Sequence, residues 1–267
     1  MAPGQKIEDR FMEEAVQFTC KGKWLYGILH VPDGQRTCRD AVIMVNGGPQ
    51  TRYGSHRLYV QLARFLCERG INVFRFDYEG IGDSEGDFAG AEYAEPSIHA
   101  AIQYIGTRFP ECNRKIIWSL CDGATASALY ASQHNGLVTG LILCNPFIRN
   151  EVALYHKHYY KKRLLDKDLW VRLLGLKIKF KEAFSETIEI FHAMLRRTVM
   201  QKTGNNDEKP EPFTQESLLR CFQHTRIPTC CMLSMNDVVA KEFSERILRR
   251  KNALQGNGNI KIYTIDG

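Results

Sequence analysis

Apolar positions along the chain alternate between two periods, one typical of buried strands and the other of amphipathic helices. The runs "AVQFTC" and "WLYGILHV" flank the short turn "KGK" and predict an opening β-hairpin. Further short apolar runs predict six buried strands: "DAVIMVNGG" (Asp40–Gly48), "INVFRFD", "KIIWS", "GLVTGLILCNP" (Gly136–Pro146), "IPTCCMLS" and "IKIYTI".

Apolar residues spaced three or four apart predict helices between these strands. Helices are also predicted to begin at Asp122 and to lie near Phe243–Leu254. One predicted helical stripe, which ends before Gly70, consists of Leu58, Leu62, Phe65 and Leu66. A second consists of Ile98, Ile102 and Ile105.

This alternation predicts an α/β fold with a mostly parallel sheet covered by helices on both faces. We expect a core domain formed by residues 1–148 and 213–267, with a helical basic cap and linker at 149–212 inserted between two strands. Helical stripes and a polar, Pro-containing stretch define the insertion: Leu165, Leu169, Leu173; Ile188, Phe191, Leu195; and the linker Thr203–Pro212.

The formal charge of +6 is concentrated in the insertion. Between Glu151 and Thr203 there are 12 Lys and Arg against 6 Asp and Glu, so this segment carries the whole imbalance. The stretch Tyr155–Leu165 could close over an anionic substrate, or it could be an ordinary solvated helix face. Nucleic-acid binding is disfavoured because no base-stacking motif accompanies the charge.

Other features of the composition narrow the class of protein. No uninterrupted apolar window of about 18 residues occurs, so no transmembrane segment is expected. The N-terminus lacks the apolar region of a signal peptide, and we expect a cytoplasmic protein. Nine cysteines without a CxxC pair argue against a disulfide framework and the usual zinc signatures. We therefore expect neither a metal nor a cofactor.

The stretch "KIIWSLCDGATAS" (Lys115–Ser127) predicts a strand, a tight turn and a helix, with Cys121 at the apex. Such an elbow presents its apex residue to a substrate. Here Ser119 and Gly123 are the small flanking residues, and Cys stands in the nucleophile position. The helix N-terminus is expected to lower the pKa of the thiol, whereas the neighbouring carboxylate works the other way. The alternative is that Cys121 is a small core residue.

Three other positions complete an acyl-transfer site at the carboxyl ends of the strands. Gly48 in "VNGGPQ" and Asp122 are the expected backbone donors of an oxyanion hole. Asp237 in "LSMNDVVAKEF" fits the acid that orients a catalytic histidine, although Asp there is also a common helix N-cap. No histidine follows Asp237 and the closing helix of the fold is missing, so we expect a truncated chain whose histidine would lie beyond Gly267. The loop "FDYEGIGDSEG", with Asp83, is interpreted as structural.

Long stretches resemble the first type of the bacterial exosortase A system-associated hydrolases. They are "GGPQTRYGSHRLYVQLARFLCERGINVFRFDYEGIGDSEG", "WSLCDGATA", "NPFIRNEVAL", "HYYKKRLLD" and "LSMNDVVAKEF", and the similarity extends from about Glu14 to the end. The resemblance implies an α/β-hydrolase fold with a helical cap, encoded near exopolysaccharide and protein-sorting genes. It matches Cys121 to the nucleophile and Asp237 to the acid. Ser119 stands where that family usually has Gly, and Glu79 where it usually has Arg.

The resulting hypothesis is a cysteine hydrolase of ester or thioester substrates, either small molecules or lipid-linked acyl compounds. Because a triad base is missing, this 267-residue form is expected to be nearly inactive, with Cys121 still open to alkylation. His56 and Tyr159 are possible substrate contacts. The alternative is a non-catalytic binding protein with the α/β-hydrolase fold. The sequence predicts no oligomeric state.

Overall fold

The computed structural model describes residues 11–33, 39–134, 136–148, 213–248 and 257–265, and within them eight strands form one sheet in the order β1-β2-β4-β3-β5-β6-β7-β8. The strands are β1 Phe11–Cys20, β2 Lys23–Pro32, β3 Asp40–Val45, β4 Asn72–Phe76, β5 Arg114–Leu120, β6 Gly140–Cys144, β7 Thr229–Ser234 and β8 Ile260–Ile265. Strands β1 and β2 are antiparallel to their neighbours, and all pairings from β4 to β8 are parallel. The α/β-hydrolase fold predicted from the sequence is therefore confirmed.

Helices follow most of the parallel strands. In the described parts of the chain they are α1 Leu58–Cys67, α2 Glu95–Arg108, α3 Asp122–Gln133, α4 Gln215–His224 and α5 Val238–Phe243, the last continuing into a π-helical turn at Ser244–Leu248. None of them is long and apolar enough to cross a membrane.

Both faces of the central sheet are buried, and β3 shows this most clearly. Ile43 and Val45 belong to one apolar cluster, which includes residues of α2, α3 and α4. Val42 and Met44 point to the other face, where they pack in the cluster that contains Tyr59 of α1. Because alternate side chains of one strand fill two cores, the strand is apolar throughout rather than alternating.

The structure corrects three details of the predicted helices. In α1, Leu58 and Phe65 are exposed, and the buried residues are instead Tyr59, Val60, Ala63 and Cys67. Leu62 and Leu66 of the predicted stripe do pack against this core, but the prediction was wrong for Leu58 and Phe65, because Tyr and Ala also form part of the apolar face. Helix α4 was not predicted; it begins after Thr214, whose Oγ1 accepts a hydrogen bond from the Ser217 N–H at 3.2 Å. Helix α5 begins at Val238, five residues before the predicted start.

One predicted helical stripe is confirmed, and the predicted cap is not among the described residues. The stripe of Ile98, Ile102 and Ile105 is buried in α2, as predicted. The basic segment 149–212 lies outside the described residues, so the cap and the domain boundaries stay predictions.

Candidate active site

Cys121 lies at the apex of a sharp turn between β5 and α3. Its φ of 57° and ψ of −126° are unusual for a residue with a side chain. Backbone hydrogen bonds hold this conformation: the Cys121 N–H donates to the Cys144 carbonyl at 2.9 Å, and the Cys121 carbonyl accepts from Ala124 at 3.0 Å and Phe147 at 3.1 Å. A strained apex held from both sides is the geometry of a nucleophile elbow.

Small residues are required on both sides of the elbow because the end of β3 packs against it. A Cβ on Gly123 would lie 2.0 Å from the Asn46 carbonyl oxygen, and one on Gly47 would lie 2.5 Å from the Leu120 carbonyl oxygen. Ser119 is fully buried, and its hydroxyl donates to the Ile142 carbonyl at 3.4 Å. The elbow thus accommodates a serine two residues before the apex.

The two predicted oxyanion donors lie together, but a side chain already uses one of them. The Gly48 N–H donates a short hydrogen bond to Oδ1 of Asp122, and the Gly123 N–H donates to the same oxygen at 2.9 Å. The Asp122 backbone N–H faces the Cys121 thiol. A carboxylate oxygen therefore occupies one of the two predicted oxyanion donors.

The thiol of Cys121 does not have the lowered pKa that its place at a helix N-terminus led us to expect. Its pKa is raised to about 12, first by burial and then by the Asp122 carboxylate; the Asp122 N–H lowers it in part, and the more distant Asp237 carboxylate adds a smaller increase. Burial also raises the pKa of the Asp122 carboxyl, opposed by the N–H groups of Gly48 and Gly123. The prediction was wrong because desolvation and two acidic neighbours outweigh the helix end. Cys121 is consequently a protonated thiol at neutral pH.

The loop that carries Gly48 is fixed to β4 by buried polar groups. The Tyr78 hydroxyl donates to the Asn46 carbonyl at 2.7 Å. The Asn46 side-chain amide donates to the carbonyls of Phe76, at 2.9 Å, and Gln50, at 3.2 Å. These bonds set the position of the Gly48 amide relative to the elbow.

A buried ion pair anchors the far end of the same loop. Arg52 bonds to the Asp77 carboxylate through both its backbone N–H and its guanidinium, and the guanidinium also reaches Asp83. Asp77 is fully buried, whereas the Asp83 side chain is 67% exposed. The structural interpretation of the loop containing Asp83 fits this arrangement. Glu79, which replaces the usual Arg of the resembled family, forms an ion pair with Lys23.

Asp237 lies at the N-terminus of α5, on the same edge of the sheet as the elbow. Its carboxylate accepts hydrogen bonds from the N–H groups of Val239 at 2.6 Å and Ala240 at 3.4 Å, so it is an N-cap. It is also close enough to Cys121 to raise the pKa of the thiol. Both readings of this residue, cap and triad acid, are compatible with its position.

The histidines in the described part of the chain make their contacts away from Asp237. His56 is exposed before α1 with a positive φ of 52°, and its carbonyl accepts from Gln61. The others are bound elsewhere: His30 to Arg75, His99 to Tyr130, His134 to Glu95 and His224 to the Arg220 carbonyl. Tyr159, with His156, His158 and His192, lies outside the described residues.

Sequence reasoning missed how closely the elbow and the Gly48 loop interlock. The Asp122 side chain was considered only for its charge beside the thiol, and Asn46, Tyr78 and Arg52 were not singled out. The sequence did contain a sign of these contacts: polar residues follow both β3 and β4, and strand ends without a polar network do not require them.

The strand order and the strained elbow together define an α/β-hydrolase. The sequence model of the family described as serine aminopeptidase, S33, matches residues 37–208, which is more than half of the chain, and the protein belongs to that family. The family is named for a serine, whereas the apex residue here is a cysteine. No protein of curated function matches the sequence significantly.

Solved structures share the fold at low sequence identity. The esterase Pf2001 of Pyrococcus furiosus has a TM-score of 0.64 and 17% identity, covering 100% of this chain and 86% of that one. The α/β-hydrolase GrgF from Penicillium sp. sh18 has a TM-score of 0.59 and 19% identity, over 96% and 90% of the two chains. Est1E from Butyrivibrio proteoclasticus, solved with ferulic acid, has a TM-score of 0.57 and 16% identity, over 94% and 89%.

Proposed function

We propose that the protein hydrolyses ester or thioester bonds of acyl substrates, with Cys121 as the nucleophile. The observation that carries the proposal is the backbone of Cys121, held at φ 57° between β5 and α3 with the amides of Gly48 and Asp122 beside it. This conformation exposes an apex nucleophile.

In the proposed reaction the Cys121 sulfur attacks the acyl carbon and forms a tetrahedral intermediate. Its thiol proton passes to a histidine oriented by Asp237, which then protonates the leaving alcohol or thiol. That histidine would come from outside the described residues. Water hydrolyses the resulting acyl-thioester, with the same histidine as base, and regenerates the thiol.

The oxyanion would accept hydrogen bonds from the N–H groups of Gly48 and Asp122. For that to happen, the Asp122 carboxylate must leave the Gly48 amide, because two negatively charged oxygens cannot share one donor favourably. Asp122 would thus hold the empty site in an unreactive form until a substrate competes for the amide.

The substrate class follows from charge and from the resemblance. The excess of positive charge in 151–203 favours an anionic acyl compound, such as a phosphate-bearing carrier or a lipid-linked molecule, with His56 and Tyr159 as possible contacts. We extend the proposal to a role beside exopolysaccharide and exosortase systems in the cytoplasm, which rests on the sequence resemblance.

A second candidate is a non-catalytic protein that binds an acyl ligand at the elbow. Two observations favour it: the Asp122 carboxylate occupies the Gly48 donor, and the pKa of Cys121 is about 12. In this case the elbow would recognise an acyl ligand without turning it over.

Turnover of a p-nitrophenyl ester and of an acyl thioester separates the two candidates. The protein produced from its native gene is compared with Cys121→Ala and with the control Cys144→Ala, whose thiol also has a pKa raised to about 12 by burial. Loss of turnover in Cys121→Ala alone supports the hydrolase. Absence of turnover in every form, with acyl ligands still protecting Cys121 from alkylation, supports the binding protein.

A further inference from the structure

A cluster of metal-ligating side chains lies at the far end of α3, away from the elbow. Glu95 and His99 lie one turn apart on α2, and His134 directly follows α3. One nitrogen or oxygen atom from each residue lies within 4.8 Å of the others. Among the residues that the structure describes, this is the cluster of His, Cys, Asp and Glu side chains that meets such a criterion.

The side chains are already partly arranged for binding a metal ion. Nε2 of His134 lies 2.8 Å from Oε1 of Glu95. One ring nitrogen of His99, Nδ1, is 3.0 Å from the Tyr130 hydroxyl, and its Nε2 is 3.5 Å from the amide nitrogen of Gln103. A histidine ligand usually has its second nitrogen fixed by a hydrogen bond, and Tyr130 can supply that bond.

Packing restricts the rings further. The ring of His134 is stacked on Tyr130 with centroids 4.3 Å apart, and the rings of His99 and His134 lie 5.2 Å apart. Tyr130 itself is buried and therefore provides a rigid support. The ligand atoms come from residues whose orientation is largely set before any ion binds.

One side of the cluster is open. Glu95, His99 and His134 line a groove of about 800 Å³ between β1 and α2, with Trp24 and Tyr104 among the other lining residues. The side chains of Glu95 and His134 are 42% and 28% exposed. An ion bound here would have protein ligands on one side and room for water or a small anion on the other.

We propose that Glu95, His99 and His134 form a site for a divalent transition-metal ion, of which Zn²⁺ is the best match. Two imidazoles and one carboxylate, with a fourth position open, is a ligand set that zinc commonly takes. Zinc holds such atoms at about 2.0–2.2 Å from itself and therefore about 3.4 Å from one another. On binding, His134 Nε2 and Glu95 Oε1, now 2.8 Å apart, would separate slightly to admit the ion. The bound ion would link α2 to the end of α3, and this site is independent of the proposed acyl hydrolysis.

The absence of a CxxC pair led to the expectation that the protein binds no metal, and the proposed site has no such signature. The feature of the sequence that indicates this site is the Glu-x-x-x-His spacing of Glu95 and His99, which places both residues on one face of a helix. The third ligand comes from 35 residues further along the chain, so spacing alone does not reveal it.

Zinc titration of the chelator-treated, full-length protein by isothermal calorimetry tests the site. We expect one Zn²⁺ per chain, with the affinity reduced more than about 100-fold in His99→Ala and in Glu95→Gln. The control His224→Ala, in which the histidine contacts its own helix, should bind zinc like the wild type. Tyr130→Phe should weaken binding about tenfold, because it removes the hydrogen bond to His99.

Cobalt substitution identifies the ligand type. A visible Co²⁺ spectrum without a thiolate-to-cobalt charge-transfer band is expected, and it should disappear in His99→Ala. Circular dichroism of each variant in the presence of chelator shows whether the variant folds. If His99→Ala does not fold, Glu95→Gln provides the test of the site. Zinc binding that is unchanged in folded His99→Ala and Glu95→Gln, or no zinc binding by the wild type, would overturn the proposal.

Discussion

The carboxylate of Asp122 accepts a hydrogen bond from the backbone N–H of Gly48, across 74 residues of sequence. This bond joins the elbow to the loop after β3, the two elements whose amides would stabilise an oxyanion. It also places a negative charge beside the Cys121 thiol, whose pKa is about 12. One side chain thus occupies a proposed oxyanion donor and adds to the effect of burial that keeps the thiol protonated.

Replacing Asp122 with Asn should make Cys121 more reactive. Asn has the same shape and can keep the bond to Gly48, but it removes a charge that raises the pKa of the thiol. We expect alkylation of Cys121 by iodoacetamide to be about tenfold faster at pH 8 than in the wild type, for a pKa lowered by about one unit. Peptide mass spectrometry at Cys121 gives the rate.

The wild-type protein supplies the pH profile for the same experiment. Because the thiolate is the reactive form, the alkylation rate should keep rising between about pH 7 and pH 10 instead of levelling off near the ordinary pKa of cysteine, about 8.5. A plateau below about pH 9 in the wild type would contradict the raised pKa of the thiol, and an unchanged rate in Asp122→Asn would contradict the contribution assigned to Asp122.

The close contact between α3 and β3 predicts that Gly123→Ala is strongly destabilising. The added Cβ would meet the Asn46 carbonyl oxygen at 2.0 Å, and backbone must move to relieve it. We expect a loss of roughly 3 kcal/mol or more in the free energy of unfolding. Urea denaturation measures it, with Gly140→Ala as the control, because a Cβ there has its nearest neighbour at 3.5 Å. Equal stabilities of the two variants would contradict the packing described.

Arg52 offers a comparison between a buried and an exposed partner on one guanidinium. Asp77→Ala leaves the buried Arg52 side chain without its main counter-charge and should cost about 3–5 kcal/mol. Asp83→Ala removes a partner that is 67% exposed and should cost about 1 kcal/mol or less. Chemical denaturation of both variants tests the ranking, and the reverse order would show that the loop is not anchored through Asp77.

His30 should make the protein less stable in mild acid. Burial and the Arg75 guanidinium lower its pKa from 6.5 to about 4, so the folded protein keeps this imidazole neutral while the unfolded chain protonates it. The stability it contributes is complete above about pH 6.5 and falls by about 3 kcal/mol as the pH drops to about 4. Glu13 has a lowered pKa because of its hydrogen bond to Arg64, so the stability that Glu13 contributes is lost only at lower pH.

The free energy of unfolding measured across this pH range, in wild type and His30→Gln, isolates the contribution. In the wild type, Nε of Arg75 donates a hydrogen bond to Nε2 of His30 at 2.8 Å. A Gln side chain retains an acceptor for this bond but does not titrate. The variant should lose most of the slope between about pH 6.5 and 4, whereas His224→Gln should keep it. A slope that survives in His30→Gln would assign the acid sensitivity to other groups.

The sequence predicts the sheet well because its strands carry strong local signals. Strand β3 is wholly apolar from Ala41 to Val45, as a strand buried on both faces must be. Helix α1 shows the limit of the same reasoning: Tyr59 is fully buried beside Trp118, while Phe65 is half exposed, although both are large and aromatic. Which aromatic face turns inward depends on the neighbouring strands, and hydrophobicity alone does not encode it.

At the candidate site, the position of Cys121 could be read from the sequence but its electrostatics could not. The elbow follows from a local order of strand, small residues and helix. The pKa of the thiol depends on burial and on Asp237, which is 116 residues away in the chain. Long-range terms of this kind, like the bond between Gly48 and Asp122, exist only once the sheet is assembled.

Trapping of an acyl group on Cys121 tests the central claim most directly. The protein produced from its native gene is mixed with p-nitrophenyl acetate, quenched in acid within seconds, and its intact mass and peptides are measured beside those of Cys121→Ala and Cys144→Ala. The account predicts one acetyl group per chain on Cys121, present in Cys144→Ala and absent in Cys121→Ala. Acetylation elsewhere with Cys121 unmodified, or turnover that persists in Cys121→Ala, would contradict it.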